Sequence, residues 1–147
     1  MKIALASDHA GFELKSEIKK RLIDDGYQVI DFGTDSKKSV DYPEFGLAGA
    51  RAVIEKKADL AILLCGTGLG MSIMANKVKG IRAVTCNDLF SARLARSHND
   101  ANVLCLGGRL LGPDLAWEIV RTFLETPFAG GRHLRRVNEI KRLEKTC

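Results

Sequence analysis

Short apolar runs alternate with amphipathic stretches along the whole chain. Runs at residues 2–7, 27–33, 59–65, 81–86 and 102–107 are rich in branched apolar side chains and bounded by Gly, Asp or Asn. They predict five β-strands. The stretches between them repeat at helical spacing. In residues 11–25, Leu14, Ile18 and Leu22 recur every four positions and share one helix face. Residues 43–57 carry Phe45, Ala48 and Ala52 in similar register. Residues 70–78 and 88–97 predict two shorter helices. Pro113 suits the first turn of a helix reaching 125, with Leu115, Ile119 and Phe123 turned inward. A last helix is expected over about 132–145.

Strands alternating with helices imply an α/β fold. It is expected to be Rossmann-like (flavodoxin-like), with a parallel sheet of about five strands and helices on both faces. No internal repeat, low-complexity tract or linker interrupts the pattern, so residues 1–147 read as one domain. In such sheets ligands bind beyond the carboxyl ends of the strands. That rule selects Asp8-His9, Gly33-Thr34, Cys65-Gly66-Thr67-Gly68 and Asn87-Asp88.

Composition narrows the partners. Hydrophobic residues make up 46% and charged residues 28%, enough to fill a core. No apolar run approaches the ~20 residues of a membrane span, so no membrane partner is expected. The opening MKIALASDHAGF has too short an apolar stretch for a signal peptide and runs into Asp8 and His9, so a cytoplasmic location is expected. Net charge is +5, with the excess base concentrated in GGRHLRRVNEIKRLEK. That segment lacks aromatic interleaving, which argues against nucleic acid and suits a small phosphorylated ligand. The four cysteines, Cys65, Cys86, Cys105 and Cys147, form no C-x-x-C and meet no zinc-spaced histidines, so no metal site is expected. Cys86 and Cys105 lie in apolar runs and read as buried, inert thiols.

Candidate chemistry centres on Leu64-Cys65-Gly66-Thr67-Gly68-Leu69-Gly70-Met71-Ser72, a strand, a glycine loop and a helix start. Backbone N–H groups in such a loop form an anion hole. The loop is neither a Walker A nor a dinucleotide fingerprint. A thiol beside a helix N-terminus has its thiolate favoured and can act as base or nucleophile. Asp8-His9 is expected on the same edge, able to bind hydroxyls or phosphate, or simply to cap the following helix. Arg132 and Arg136, four apart, make a phosphate clamp if they share a helix face, and otherwise a solvated basic face. His98-Asn99 suits acid–base ring opening, or merely a helix-to-strand turn. Residues that precede a parallel strand lie on the edge opposite Cys65. If His98 and Cys65 act together, the simplest solution is that His98 comes from a neighbouring subunit.

The stretches ALASDHAGFELK, VIDFGT, SVDYPEFG, ILLCGTGLGMSIMANKVKGIRA, ARLARSHNDANVL and GGRHLRRV jointly resemble the B-type ribose-5-phosphate isomerases, in the family shared with galactose-6-phosphate isomerase subunits. The resemblance covers nearly the whole chain. It implies a cofactor-free aldose–ketose isomerase that takes a small sugar phosphate. Cys65 would carry the proton between C2 and C1. The backbone of Gly66, Thr67, Gly68, Leu69 and Gly70 would hold the enediolate, with Thr67 assisting proton movement. His98 would open the furanose ring, and Asp8 would bind hydroxyls. His9, Arg132 and Arg136 would hold the phosphate, with Arg109 as a further candidate. Tyr42 and Asn99 would line the substrate. Some relatives carry a glutamate at the position of Met71 and lack the cysteine; Cys65 with Met71 fits the cysteine-base type. The resemblance also implies a homodimer or dimer of dimers with shared sites. A hexose 6-phosphate isomerase and a non-catalytic sugar-phosphate-binding module are the competing expectations.

Overall fold

Side chains that alternate in direction along continuously buried central strands sort the core into two layers. In the computed structural model, which describes residues 1–147, β1 (Lys2–Ser7), β2 (Gln28–Asp31), β3 (Leu60–Cys65), β4 (Ala83–Thr85) and β5 (Val103–Gly107) form one sheet. Its order is β2-β1-β3-β5-β4 and every pairing is parallel. Ile3, Leu5, Ile62, Leu64, Leu104 and Leu106 point to one face. There they meet Leu14, Ile18 and Leu22 of α1 (Phe12–Asp24), Ala92 and Ala95 of α4 (Leu89–Asn99), and Ile119, Val120 and Phe123 of α5 (Pro113–Glu125). Ala4, Ala6, Leu63, Cys65 and Cys105 point to the other face, against α2 (Tyr42–Ile54) and α3 (Leu69–Ala75). This is the expected α/β sheet with helices on both faces.

Two helix faces differ from expectation. In α2 the buried stripe is Gly46, Gly49, Ala50 and Ala52, whereas Ala48 is only half-buried. The glycines let α2 close on the core: a Cβ at Gly49 would lie 2.4 Å from Leu63, and one at Gly46 3.0 Å from the Met71 sulfur. In α5, Ile119 and Phe123 are buried but Leu115 is 44% exposed, because the first turn stands clear of the core. Trp117 is partly buried against the α1/α4/α5 layer.

The last helix, α6 (Gly131–Leu143), spans the amino edge of the sheet. Near its start His133 stacks on His98 at the end of α4, and just past its end Glu144 accepts the Gly80 N–H ahead of β4. β4 is an edge strand, and the Asn76 side chain pairs with it: Ala83 N–H donates to Oδ1, and Nδ2 donates to the Ala83 carbonyl. No helix is long and apolar enough to cross a membrane.

Candidate active site

β1, β3 and β5 end level with one another, since Ser7 pairs with Leu64 and Cys65 with Gly107. Three chain segments therefore leave the sheet side by side. They approach more closely than side chains permit. A Cβ at Gly11 would sit 2.7 Å from Leu64, one at Gly107 2.9 Å from the Thr67 backbone, and one at Gly108 2.5 Å from the Ala10 carbonyl oxygen.

Cys65 is the last residue of β3 and is 5% exposed. Gly68 adopts the left-handed conformation, with φ 80°, which turns the chain so that its N–H donates to Cys65 Sγ at 3.1 Å. The Leu69 N–H donates to Thr67 Oγ1 at 3.3 Å. The N–H groups of Gly70 and Met71, in the first turn of α3, have no intrahelical acceptor. The loop thus presents a sulfur acceptor beside free backbone donors. Gly108 N–H bonds the Cys65 carbonyl at 2.8 Å and Arg109 N–H bonds the Gly66 carbonyl at 3.0 Å, so the segment after β5 braces it.

Four further predicted residues gather at this edge. Asp8 is buried, and its Oδ1 accepts N–H bonds from Ala10 (2.9 Å) and Gly11 (3.0 Å). Asp8 thus closes the turn that leads into α1, whose N-cap is Gly11 with no side-chain cap, and Oδ2 is left over. His9 Nδ1 accepts the Val40 N–H at 3.2 Å, so a neutral His9 carries its proton on Nε2. The Tyr42 ring lies against Gly70, where a Cβ would come within 2.7 Å of it. The exposed Arg109 side chain lies over Gly66.

The other predicted residues lie elsewhere. His98 and Asn99 end α4, and Asp100 follows in the left-handed conformation with φ 46° before β5 begins. His98 is thus helical, not in a loop, and on the amino edge. Ala61 pairs with Val103 at that edge, while Cys65 pairs with Gly107 at the far one. Four residues of strand rise separate these pairs by roughly 13 Å, and His98 lies beyond the amino end of β5. Arg132 and Arg136 are exposed on α6 beside His98. The four residues implied for phosphate binding are split: His9 and Arg109 on one edge, Arg132 and Arg136 on the other.

The structure adds three residues. His133 stacks on His98 with centroids 4.0 Å apart and planes 9° from parallel. Burial, then His98, Arg132 and Arg136, hold its pKa below the ordinary histidine value. Nothing local in the sequence pairs His133 with a residue so distant. Buried Lys15 pairs with the more exposed Asp31 at the end of β2. Their signal was available, as Lys15 falls on the apolar face of α1 with Leu14 and Ile18.

The remaining cysteines are poor candidates. Burial pushes the Cys105 thiol well up, and it also raises Cys86 despite a hydrogen bond with Ser91. Cys86 lies one residue past β4. No group of three or more His, Cys, Asp or Glu side chains is placed to hold a metal ion. The two largest clefts, about 480 Å³ each, are lined by other residues and do not include Cys65. In a single chain the Cys65 loop is therefore an open shelf.

Comparison with known proteins places this geometry. The Ribose/Galactose Isomerase family matches residues 3–140. Ribose-5-phosphate isomerase B of Escherichia coli K12 is 49% identical, over 98% of this chain and 97% of the relative. A solved ribose-5-phosphate isomerase B from Clostridium thermocellum is 55% identical, with a TM-score of 0.98 over 99% of both chains. Another, from Mycoplasma genitalium with bound ribulose 5-phosphate, is 42% identical, with a TM-score of 0.95 over 99% of this chain and 97% of that one. In sequence and in three-dimensional structure alike, this chain belongs to the ribose/galactose isomerase family.

Proposed function

We propose that the chain interconverts ribose 5-phosphate and ribulose 5-phosphate through an enediolate, with Cys65 as the base. The observation that carries this reading is the Cys65 sulfur, held by the Gly68 N–H at the mouth of a glycine loop whose Gly70 and Met71 N–H groups are free. The thiolate removes the C2 proton of the open aldose. The C–H electron pair becomes the C1–C2 double bond, and the carbonyl pair moves onto O1. Backbone N–H groups of the loop face that developing charge, where each donor is typically worth roughly 3–4 kcal/mol. Return of the proton to C1, with transfer between O1 and O2 aided by Thr67, gives the ketose. A proton shift between adjacent carbons consumes no redox cofactor.

Ring opening and phosphate binding draw on the other edge. His98 moves a proton from the anomeric hydroxyl to the ring oxygen. Arg132 and Arg136, with His9 and Arg109, grip the phosphate, and Asp8, Tyr42 and Asn99 hold the sugar. His98 cannot reach Cys65 within one chain, given the strand rise between the edges. The reading therefore includes a two-fold dimer in which His98 of the partner subunit covers the open Cys65 shelf, twice over. Exposed Leu69, Ile73 and Phe90 near this edge offer apolar surface for that contact.

The test is an isomerase assay on ribose 5-phosphate, with and without a chelator, beside allose 6-phosphate and galactose 6-phosphate. Turnover of the pentose, unchanged by chelator and faster than on either hexose, is expected. Faster turnover of a hexose phosphate would reassign the substrate. No turnover of any would leave a binding module.

A further inference from the structure

Lys15 lies on the buried face of α1, with its side chain 3% exposed. A buried ammonium is costly unless its donors are matched. Lys15 matches all three. It donates to Asp31 Oδ1 at 2.8 Å, to the Thr34 carbonyl at 2.6 Å and to the Gly33 carbonyl. Burial alone would raise the Asp31 pKa. Hydrogen bonds from Lys15, Lys19 and the Gly33 N–H outweigh it and hold the carboxyl below its usual range. With no donor left over, Lys15 serves as an anchor and not as a ligand site.

What it anchors is the segment between β2 and α2. Gly33 and Thr34 also pair with Ser7, the residue before Asp8: Ser7 N–H donates to the Gly33 carbonyl (3.3 Å) and Thr34 N–H to the Ser7 carbonyl (2.7 Å). The Phe45 ring of α2 fills the space over Gly33, where a Cβ would come within 1.9 Å of it. Further along, the Val40 N–H holds His9 Nδ1. The segment then enters α2, whose first residue, Tyr42, lies against Gly70. The glycine loop itself is braced separately, by the segment after β5.

We propose that Lys15 is a positioning residue for substrate binding, fixing the 33–41 segment so that His9 and Tyr42 are held at the Cys65 edge. It rests on the isomerase reading above. Because it acts on binding groups and not on the base, its loss should appear in KM more than in kcat. Lys15→Met keeps the apolar stem and removes the ammonium. The expected result is a KM for ribose 5-phosphate raised about tenfold, with kcat within about twofold of wild type. Amide hydrogen exchange over 34–41 should accelerate, while Leu60–Cys65 stays protected. Combined with Tyr42→Phe, the effect on KM should be less than the product of the two alone. If Lys15→Met does not fold, Asp31→Asn, which keeps both carbonyl bonds, should raise KM about threefold at constant kcat. Exchange is read without substrate, so failure of the isomerase reading would show in wild-type turnover and failure of this proposal in the variants. Wild-type exchange over 34–41, a fall in kcat at constant KM, or strict additivity with Tyr42→Phe would overturn it.

Discussion

The carboxyl edge and the amino edge of the sheet hold their candidate site residues in different ways. At the carboxyl edge Cys65, Asp8 and His9 each have a backbone partner in their own chain. Gly68 N–H bonds Cys65, Asp8 bonds two backbone N–H groups, and His9 is braced by Val40. At the amino edge Arg132 and Arg136 are exposed with no carboxylate, whereas nearby Arg82 and Arg96 are locked to Asp100. His98 is ordered there by its stack on His133. The contrast fits the two jobs proposed for these residues. A base must be preorganised before its proton moves. A phosphate grip keeps its charges unpaired until the anion arrives, since an internal carboxylate would compete with it.

If this division is right, the largest effect belongs to Cys65. Cys65→Ala should lower kcat by roughly 10³-fold, within the range lost with a general base. Substrate affinity, followed by calorimetry, should change by no more than about threefold, because the proposed phosphate grip of His9, Arg109, Arg132 and Arg136 does not involve the sulfur. A near-normal kcat would remove Cys65 from the chemistry.

His98 comes next. His98→Asn should cost roughly 10²-fold on cyclic ribose 5-phosphate and distinctly less on a substrate presented already open. Equal losses on both would mean that His98 does not open the ring. Arg132→Ala and Arg136→Ala should each raise KM by roughly 10- to 100-fold, from about 1.5–3 kcal/mol per charged hydrogen bond lost. An unchanged KM in both would make them a solvated basic face.

The smallest effect concerns the stack. His133 faces His98, Arg132 and Arg136, and with burial they depress its pKa in the folded chain. The unfolded chain then takes up that proton first as pH falls, so stability present at pH 7 is lost on falling through about 6.5. His133→Phe keeps a ring and removes the titration. The urea midpoint of wild type should drop more between pH 7 and pH 5 than that of the variant. Equal drops would show that the pair carries no such linkage.

Much of this was legible in the sequence. All five strands appear within a few residues of their predicted positions, because apolar alternation is local and survives folding. The placement of His98 opposite Cys65 followed from parallel topology alone. The α2 register was not legible, since Gly46 and Gly49 bury a face that a hydrophobic period does not mark. Leu115 misled for the converse reason: its spacing suits the core, but the core ends before the first turn of α5. The His98–His133 contact joins two helices far apart in sequence, and no local pattern encodes it.

The central claim is that one active site needs both edges and hence two chains. Mixing Cys65→Ala with His98→Asn subunits, each crippled alone on cyclic ribose 5-phosphate, under conditions that exchange them tests it directly. Each hybrid dimer would hold one site with both residues intact and one with neither. Random exchange at 1:1 should restore about a quarter of wild-type activity. Confirmed exchange with no recovery would place both residues in one chain's site and contradict the account.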